Sequence, residues 1–146
     1  YMLGAGATEM AGVLATGEIW IRTPETILIE WTGRLRDGVV AKDIMLRLCG
    51  ALGMDGGRYQ AVQYAGPAID ALSMQERMTL ANMTAELGGQ TGLIAPDATT
   101  VDWLREHGAD PQRLSDAALA PLRFDPAAAV SERHVFDAAT LPPQTG

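Results

Sequence analysis

Short apolar segments alternate with longer amphipathic segments through the middle of this sequence. Residues 25–33 (ETILIEWTG), 59–66 (YQAVQYAG) and 91–96 (TGLIAP) have the length and the β-branched or aromatic content of strands. Residues 39–53 and 78–89, the latter stopped by Gly88 and Gly89, repeat apolar side chains at helical spacing. Strands that alternate with helices predict an α/β fold, with helices packed on a sheet.

The two ends of the chain extend this pattern less clearly. Residues 18–24 (EIWIRTP) have strand composition beside the strand at 25–33, which predicts a sheet that is not purely parallel. Residues 1–16 have the composition of a helix that Gly17 ends, and no helix-start signal precedes Tyr1, so we expect the natural chain to begin earlier.

Beyond residue 109 prolines interrupt the pattern, and only 134–141 (HVFDAATL) has strand character. We therefore predict an α/β domain over residues 1–109, incomplete at its amino end. Residues 110–146 are predicted to be a proline-rich connection and a final strand that leave this domain.

Composition excludes several classes of function. The chain has 146 residues, a net charge of −7 and no basic stripe in its sequence, so we expect no nucleic-acid partner. No apolar run reaches the length of a membrane span, and the amino end lacks the pattern of a signal peptide. A single cysteine, Cys49, excludes an internal disulfide and favours a reducing, cytoplasmic location.

Residue types that bind metals or phosphates are present without the spacing that such sites need. Cys49, His107 and His134 are far apart, so we expect no structural zinc and no iron–sulfur cluster bound by this chain alone. GAGATE (4–9) lacks a preceding strand and a third glycine, and GMDGGRYQ (53–60) lacks the P-loop lysine. Both are better explained as close packing or a turn.

The segment MTLANMTAELGG (78–89) carries a more specific question. In a helix, Asn82 and Glu86 lie one turn apart on a polar face that also carries Thr79 and Gln75. Such a face is either the solvated side of an amphipathic helix or the part of the helix that presents an amide and a carboxylate to a site.

Several segments, in this order, resemble one protein family. VVAKDIML, RMTLANMTAELG and GLIAPD are the most diagnostic, together with GATEMAGVLATGEIWIRTPETI and the FDAATLPPQ tail. They are similar to the large-subunit iron–sulfur region of the aconitase superfamily, of the isopropylmalate isomerase, homoaconitase and dimethylmalate dehydratase type. This resemblance implies a three-layer α/β/α domain with a mixed sheet, like the aconitase iron–sulfur domain.

The resemblance also implies a reaction. Family members dehydrate and rehydrate hydroxy-di- or tricarboxylic acids at a 4Fe-4S cluster, in which one iron acts as a Lewis acid. The family's NMxxE segment is NMTAE here, so its roles fall on Asn82 and Glu86. The resemblance implies that Asn82 hydrogen-bonds near the cluster and the substrate, and that Glu86 positions or deprotonates the iron-bound water or hydroxyl. Neither residue is a cluster ligand.

Other parts of the family pattern have no counterpart in these 146 residues. The three cluster cysteines, the histidine- and aspartate-bearing motif and the separate swivelling domain would come from the remainder of the large subunit and a small subunit. The family often has glutamate and histidine where this sequence has Gln63 and Ala65, which leaves the substrate open.

Two principal hypotheses follow. In the first, the chain is part of a hydro-lyase acting on a small carboxylic acid, inactive alone and completed by the missing parts. In the second, it is a freestanding aconitase-like domain without cluster chemistry that works as a binding or scaffold module. A repurposed cluster-free enzyme is less well supported, because no nucleophile or acid–base pair stands out.

Overall fold

A five-stranded mixed sheet organises the molecule. The computed structural model describes residues 2–3 and 6–144. The strands are β1 (Met2–Leu3), β2 (Thr26–Thr32), β3 (Ala61–Ala65), β4 (Thr91–Ile94) and β5 (Glu132–Asp137), in the spatial order β1-β4-β3-β2-β5. All neighbouring strands pair in parallel except β1, which is antiparallel to β4.

The helical segments connect these strands. The α-helices are α1 (Ala7–Thr16), α2 (Ala41–Leu52), α3 (Pro67–Asp70), α4 (Met74–Asn82), α5 (Ala98–Glu106) and α6 (Asp116–Leu119). Short 3-10 helices cover Met83–Leu87, Pro111–Leu114, Ala120–Leu122 and Ala138–Thr140. Within the described residues, no helix is both long enough and apolar enough to cross a lipid bilayer.

The order of the strands indicates that the connecting segments lie on both faces of the sheet. β2, β3 and β4 follow one another across the sheet, with α2 and α4 packed together, whereas the chain then returns past β2 to form β5. Crossovers between parallel strands are right-handed in nearly all proteins, so the return runs over the opposite face. Phe124 accordingly lines a cavity together with Gln63 and Leu93. The predicted α/β fold, with three layers and a mixed sheet, is confirmed.

The hydrophobic core lies between the sheet and α2. Ile27, Ile29 and Trp31 alternate along β2 with side chains on the other face, and all three are buried. They join Ile44 and Leu48 of α2 in one cluster. Helical spacing predicts a buried stripe of Val40, Ile44, Leu48 and Leu52, which is confirmed at Ile44 and Leu48 but wrong at Val40, whose side chain is exposed. Burial of one such side chain contributes about 1.5–3 kcal/mol to folding.

Two predictions for the amino-terminal part are wrong. Residues 18–24 form no strand, and the side chain of Trp20 is 85% exposed. This apolar segment has no neighbouring strand among the described residues with which to pair. The antiparallel pair of the sheet is formed by β1 and β4 instead. The helix predicted for 1–16 begins only at Ala7; Tyr1, Gly4 and Ala5 lie outside the described residues.

The last strand belongs to the same sheet. β5 pairs along β2, from Ile27 opposite Glu132 to Thr32 opposite Asp137. Across the pair, the Arg133 guanidinium binds the Glu30 carboxylate, with Nη2 2.7 Å and Nε 2.8 Å from Oε2. The strand at the end of the chain is thus an edge of the sheet, and the domain boundary at residue 109 stays a prediction.

Two carboxylates fix local structure in ways that differ from the sequence-based expectation. The i,i+4 spacing of Asp43 and Arg47 predicts an ion pair on the outside of α2, whereas Asp43 is buried and accepts hydrogen bonds from the backbone N–H groups of Val40 and Gln144, both at 2.7 Å. Thr99 and Asp102 resemble a capping box in the sequence, whereas α5 begins at Ala98 with Asp97 as its cap. In both cases the carboxylate accepts a hydrogen bond from a backbone N–H group.

Asp97 also binds the buried guanidinium of Arg77. Its two oxygens lie 2.6 and 2.7 Å from Nη1 and Nη2 of Arg77. The same guanidinium donates to the carbonyl oxygens of Asp70 (2.7 Å) and Leu72 (3.1 Å). Arg77 therefore ties α4 to the end of α3 and to the start of α5.

Candidate active site at the amino ends of the parallel strands

Asn82 and Glu86 lie on two different helical segments. Asn82 is the last residue of α4, and Glu86 belongs to the 3-10 helix Met83–Leu87, which we call the 83–87 helix. The sequence predicts one continuous α-helix up to Gly88. This prediction is wrong beyond Asn82, where a 3-10 helix replaces the α-helix. The Thr84 hydroxyl donates to the Leu80 carbonyl oxygen at 3.2 Å, a type of bond that competes with regular helix geometry. Since a 3-10 helix has three residues per turn, Asn82 and Glu86 do not stack as predicted.

Both candidate side chains face outward. Asn82 and Glu86 are exposed, while Leu80 and Leu87 on the opposite side are buried. Among the described residues, neither Asn82 nor Glu86 makes a side-chain hydrogen bond or an ion pair within the protein. Their amide and carboxylate groups are therefore available to a ligand or to solvent.

Glu86 is close enough to Cys49 of α2 to affect its ionisation. Burial raises the pKa of the Cys49 thiol, and the negative charge of Glu86 raises it further, against a smaller lowering by a backbone hydrogen bond. α2 packs directly on the 83–87 helix. Cys49 therefore favours the neutral thiol, and its position on an apolar helical stripe predicts that it packs as a small hydrophobic residue.

A buried hydroxyl pair holds the 83–87 helix against the sheet. Tyr64 Oη of β3 lies 2.9 Å from Thr84 Oγ1, and both side chains are buried. Because the Thr84 hydroxyl donates to Leu80, the Tyr64 O–H is the donor in this pair. Burial raises the pKa of Tyr64 well above its usual range, so the phenol stays protonated.

The 83–87 helix lies at the amino-terminal edge of the parallel strands. It follows α4, which connects the carboxyl end of β3 to the amino end of β4, and β4 begins at Thr91. Ligands of open α/β sheets usually bind at the carboxyl ends of the strands. The Asn82–Glu86 pair therefore lies at the opposite edge from the usual position.

A polar network that the sequence did not reveal lies near the same ends of β2, β3 and β5. Arg58 forms an ion pair with Glu132. The Gln60 side chain accepts from the Ser131 hydroxyl at 2.9 Å and donates to the Glu25 carboxylate at 3.0 Å. These partners are 35 to 74 residues apart along the chain, and the glycine-rich run before Arg58 was the one local signal.

A cavity in the described structure lies apart from this edge. It has a volume of about 590 Å³ and lies between α4, the end of β4 and residues 122–128. Gln63 lines it together with Leu93 and Phe124, whereas Asn82 and Glu86 do not. Gln63, at which this sequence differs from the usual family residue, therefore does not share a pocket with Asn82 and Glu86.

The two histidines and the GAGATE segment make contacts that serve local structure. His107 Nδ1 lies 2.7 Å from the Trp103 carbonyl oxygen, and its ring stacks on Trp103 with centroids 3.9 Å apart. His134 Nε2 lies 3.2 Å from a Glu132 carboxylate oxygen. Of GAGATE, Gly4 and Ala5 lie outside the described residues, and Gly6 caps α1.

The donor groups of the chain do not fit an iron–sulfur cluster. A cluster needs several thiolates in one place, whereas the sequence contains one cysteine, whose pKa is raised. Across residues 2–3 and 6–144, no three His, Cys, Asp or Glu side chains are grouped as metal ligands. The polar groups that this edge offers for chemistry are therefore the side chains of Asn82 and Glu86.

Comparison with known proteins agrees with the resemblance noted in the sequence. The model of the aconitase family (aconitate hydratase) matches residues 2–145. The chain is 38% identical over 144 residues to the 3-isopropylmalate dehydratase large subunit 1 of Methanopyrus kandleri, which covers 99% of this chain and 33% of that protein. It is 41% identical over 143 residues to the 3-isopropylmalate dehydratase large subunit of Nitratidesulfovibrio vulgaris, covering 98% and 32%.

A relative with a different name matches as well. The probable methanogen homoaconitase large subunit of Methanosarcina mazei is 39% identical over 144 residues, covering 99% of this chain and 35% of that protein. The chain thus spans about a third of the length of the curated relatives that it matches. Since the family model covers nearly the whole sequence, the chain belongs to the aconitase family.

Proposed function

We propose that this chain is part of a hydro-lyase that dehydrates and rehydrates a hydroxy-di- or tricarboxylic acid, such as isopropylmalate, homoaconitate or dimethylmalate. The observation that carries the proposal is the exposure of Asn82 and Glu86 on a segment anchored to the sheet by the buried Tyr64–Thr84 pair. Rigid support of otherwise unpaired polar groups is what a catalytic site requires. Membership of the aconitase family supports the reaction class.

Glu86 is the acid–base group in this proposal. Its carboxylate, which makes no hydrogen bond or ion pair with the other described residues, accepts a proton as water adds to the unsaturated acid and returns it as the hydroxyl group leaves. The Asn82 amide donates a hydrogen bond to an oxygen of the substrate. Both residues act on a substrate that the rest of the enzyme also binds.

Two further parts of the enzyme complete the site in this proposal. The matched relatives are named large subunits, so we expect this chain's protein to work with a small subunit. The 4Fe-4S cluster characteristic of the family would be held by cysteines from the remainder of the large subunit. The single cysteine is consistent with a cytoplasmic location.

The test is Glu86→Gln in the complete enzyme, assembled from both subunits. The loss of a positioned acid–base group should lower turnover by a factor of roughly a hundred or more. Formation of the unsaturated acid, followed by its ultraviolet absorbance, gives the rate. Glu106→Gln, which alters another exposed carboxylate, on α5, is the matched control and should keep full turnover.

Equal rates for Glu86→Gln and Glu106→Gln would overturn the catalytic role of Glu86. Thermal unfolding of the two variants should be indistinguishable, because an exposed amide is tolerated at both positions. A loss of turnover that came with a lower unfolding temperature would point to structure and not to chemistry.

The cavity at Gln63 favours a second candidate function, a binding module without cluster chemistry. Its volume of about 590 Å³ is in the range of small-molecule pockets. Calorimetric titration of the isolated chain with isopropylmalate and related acids separates the two candidates. Binding that survives Glu86→Gln and is lost when Gln63 is replaced by leucine would favour the binding module.

A further inference from the structure

The residues that follow Glu86 are held by a turn from another part of the chain. Residues 53–60, which we call the glycine turn, connect α2 to β3. The backbone N–H of Gly57 donates to the Leu87 carbonyl oxygen at 2.7 Å, and that of Tyr59 donates to the Gly88 carbonyl oxygen at 2.8 Å. Two hydrogen bonds thus attach the turn to the two positions directly after Glu86.

The turn and the end of the 83–87 helix approach so closely that side chains are excluded on both sides. A β-carbon on Gly57 would lie 2.7 Å from the Gly89 Cα. A β-carbon on Gly88 would lie 2.6 Å from the Met54 carbonyl oxygen, and Gly88 has a positive φ of 78°. Contacts this short do not occur between real β-carbons and backbone atoms, so the fit depends on glycine at both positions.

Part of the glycine turn is held in a disfavoured conformation. Arg58 and Tyr59, at φ of 43° and 56°, are the two non-glycine residues with positive φ among those described. Such residues persist only where the surroundings over-determine the backbone. Here the surroundings are the bond to Gly88, the bond from Gln60 N–H to the Gly57 carbonyl oxygen at 2.7 Å and the ion pair of Arg58 with Glu132.

We propose that the glycine turn is a positioning element for Glu86, which fixes the 83–87 helix so that the carboxylate is presented in one place. Gly57 is the positioning residue that carries the effect, through its N–H bond to Leu87 and its close contact with Gly89. The inference rests on the proposed function for its catalytic meaning, while the positioning itself can be measured in this chain alone.

Cys49 provides a natural reporter for the position of Glu86. The charge of Glu86 raises the pKa of the Cys49 thiol, so Glu86→Gln should lower that pKa and enlarge the thiolate fraction at neutral pH. The pH dependence of Cys49 alkylation by iodoacetamide gives the pKa. Greater exposure of Cys49 would also lower this pKa, because burial is the larger cause of its elevation, so the effect of Glu86 has to be isolated by comparing variants with and without this carboxylate.

The test compares Gly57→Ala, Glu86→Gln and the double variant. Gly57→Ala should displace Glu86 and lower the pKa of Cys49, and it should have no further effect once Glu86 is already glutamine. Gly12→Ala makes the same chemical change in α1, where a β-carbon meets nothing within 4 Å, and should leave the pKa as it is. An equal shift from Gly57→Ala with and without Glu86 would show that the turn does not act through this carboxylate.

A measurement on the unaltered chain keeps the proposal testable if Gly57→Ala does not fold. Native-state hydrogen exchange should give one shared opening free energy for the Gly57, Tyr59 and Gly89 amides, because the turn and the end of the 83–87 helix open together. Separate opening free energies for the turn and the helix would refute the coupling.

Assays of the complete enzyme distinguish this inference from the proposed function. Gly57→Ala should lower kcat several-fold more than it changes KM, because it moves an acid–base group and not a binding contact. If Gly57→Ala shifts the pKa of Cys49 only when Glu86 is present, but Glu86→Gln leaves turnover unaffected, the positioning role of the glycine turn stands and the catalytic role of Glu86 is rejected. If Glu86→Gln loses turnover, but the effect of Gly57→Ala on Cys49 does not depend on Glu86, the catalytic role stands and the positioning role is rejected.

Discussion

Arg77 and Asp97 form a two-point ion pair in which one partner is buried and the other is partly open to solvent. The Arg77 side chain is 3% exposed, whereas that of Asp97 is 37% exposed. The buried partner is also the one that binds the carbonyl oxygens of Asp70 and Leu72. The stability of the α3–α4–α5 region should therefore depend more on Arg77 than on its carboxylate.

Replacement of Arg77 by methionine should lower the free energy of unfolding by about 3 kcal/mol, because two carbonyl oxygens, one of them buried, and a carboxylate lose their donor. Urea unfolding followed by circular dichroism measures the change. Arg105→Met is the matched control, since Arg105 pairs with Asp102 at the surface (61% and 66% exposed), and it should change stability by less than about 0.5 kcal/mol. Equal effects of the two substitutions would contradict the structural role of Arg77.

Acid should destabilise the chain through Asp97. The hydrogen bond from Arg77 holds the pKa of the Asp97 carboxyl below its ordinary value, with partial opposition from burial. A carboxyl whose pKa is lower in the folded state contributes stability above its ordinary pKa, and this contribution is lost as the pH falls through the lowered value. The measurement is the free energy of unfolding between neutral pH and about pH 3.

Asp97→Asn separates this contribution from those of other carboxylates. Asparagine still caps α5 well but does not ionise, so the variant should be less stable near neutral pH and should lose less stability in acid than the unaltered chain. Parallel pH profiles for the two proteins would show that another carboxylate carries the acid sensitivity.

The buried Tyr64–Thr84 pair should behave as a unit. Thr84→Val leaves the Tyr64 hydroxyl buried without an acceptor and should cost about 1–3 kcal/mol. Tyr64→Phe should cost about 1 kcal/mol, and the double variant should cost less than the sum of the two, because neither polar group is then left alone. Additive losses in a double-mutant cycle would mean that the 2.9 Å contact contributes little.

The isolated chain should remain colourless after anaerobic reconstitution with iron and sulfide. The prediction follows from its single cysteine, whose raised pKa disfavours the thiolate that a cluster requires. Iron analysis after desalting gives the measurement, with the complete large subunit as the positive control. A stoichiometric brown cluster on the isolated chain would overturn the ligand argument.

The sequence predicted those parts of the fold that its local pattern determines. β2, β3, β4 and α2 follow from apolar alternation and helical periodicity, which directly reflect burial on one face. Trp20 shows the opposite case, because apolar composition indicates strand propensity but cannot indicate whether a neighbouring strand is present. The change to a 3-10 helix after Asn82 was equally hidden, since the sequence does not show that the Thr84 hydroxyl bonds back to the Leu80 carbonyl oxygen while it also meets Tyr64 of β3.

For the candidate site, the sequence identified residues but not their setting. Asn82 and Glu86 were identified through a family motif, and their exposure was one of the two interpretations left open. The proximity of Glu86 to Cys49 and the support from Gly57 arise from α2 and the glycine turn packing on the 83–87 helix. Contacts between separate elements leave no periodic signal in a single sequence, which is why these partners were not foreseen.

The parallel pairing of β2 with β5 has a consequence for how this protein is made. Ile27 pairs with Glu132, so about a hundred further residues must leave the ribosome before the second edge of β2 can be covered. At a synthesis rate of about 5–20 residues per second, this apolar strand keeps an open edge for roughly 5 to 20 s. Nascent chains in this interval expose an aggregation-prone edge, which makes them natural clients for a chaperone that binds extended apolar segments.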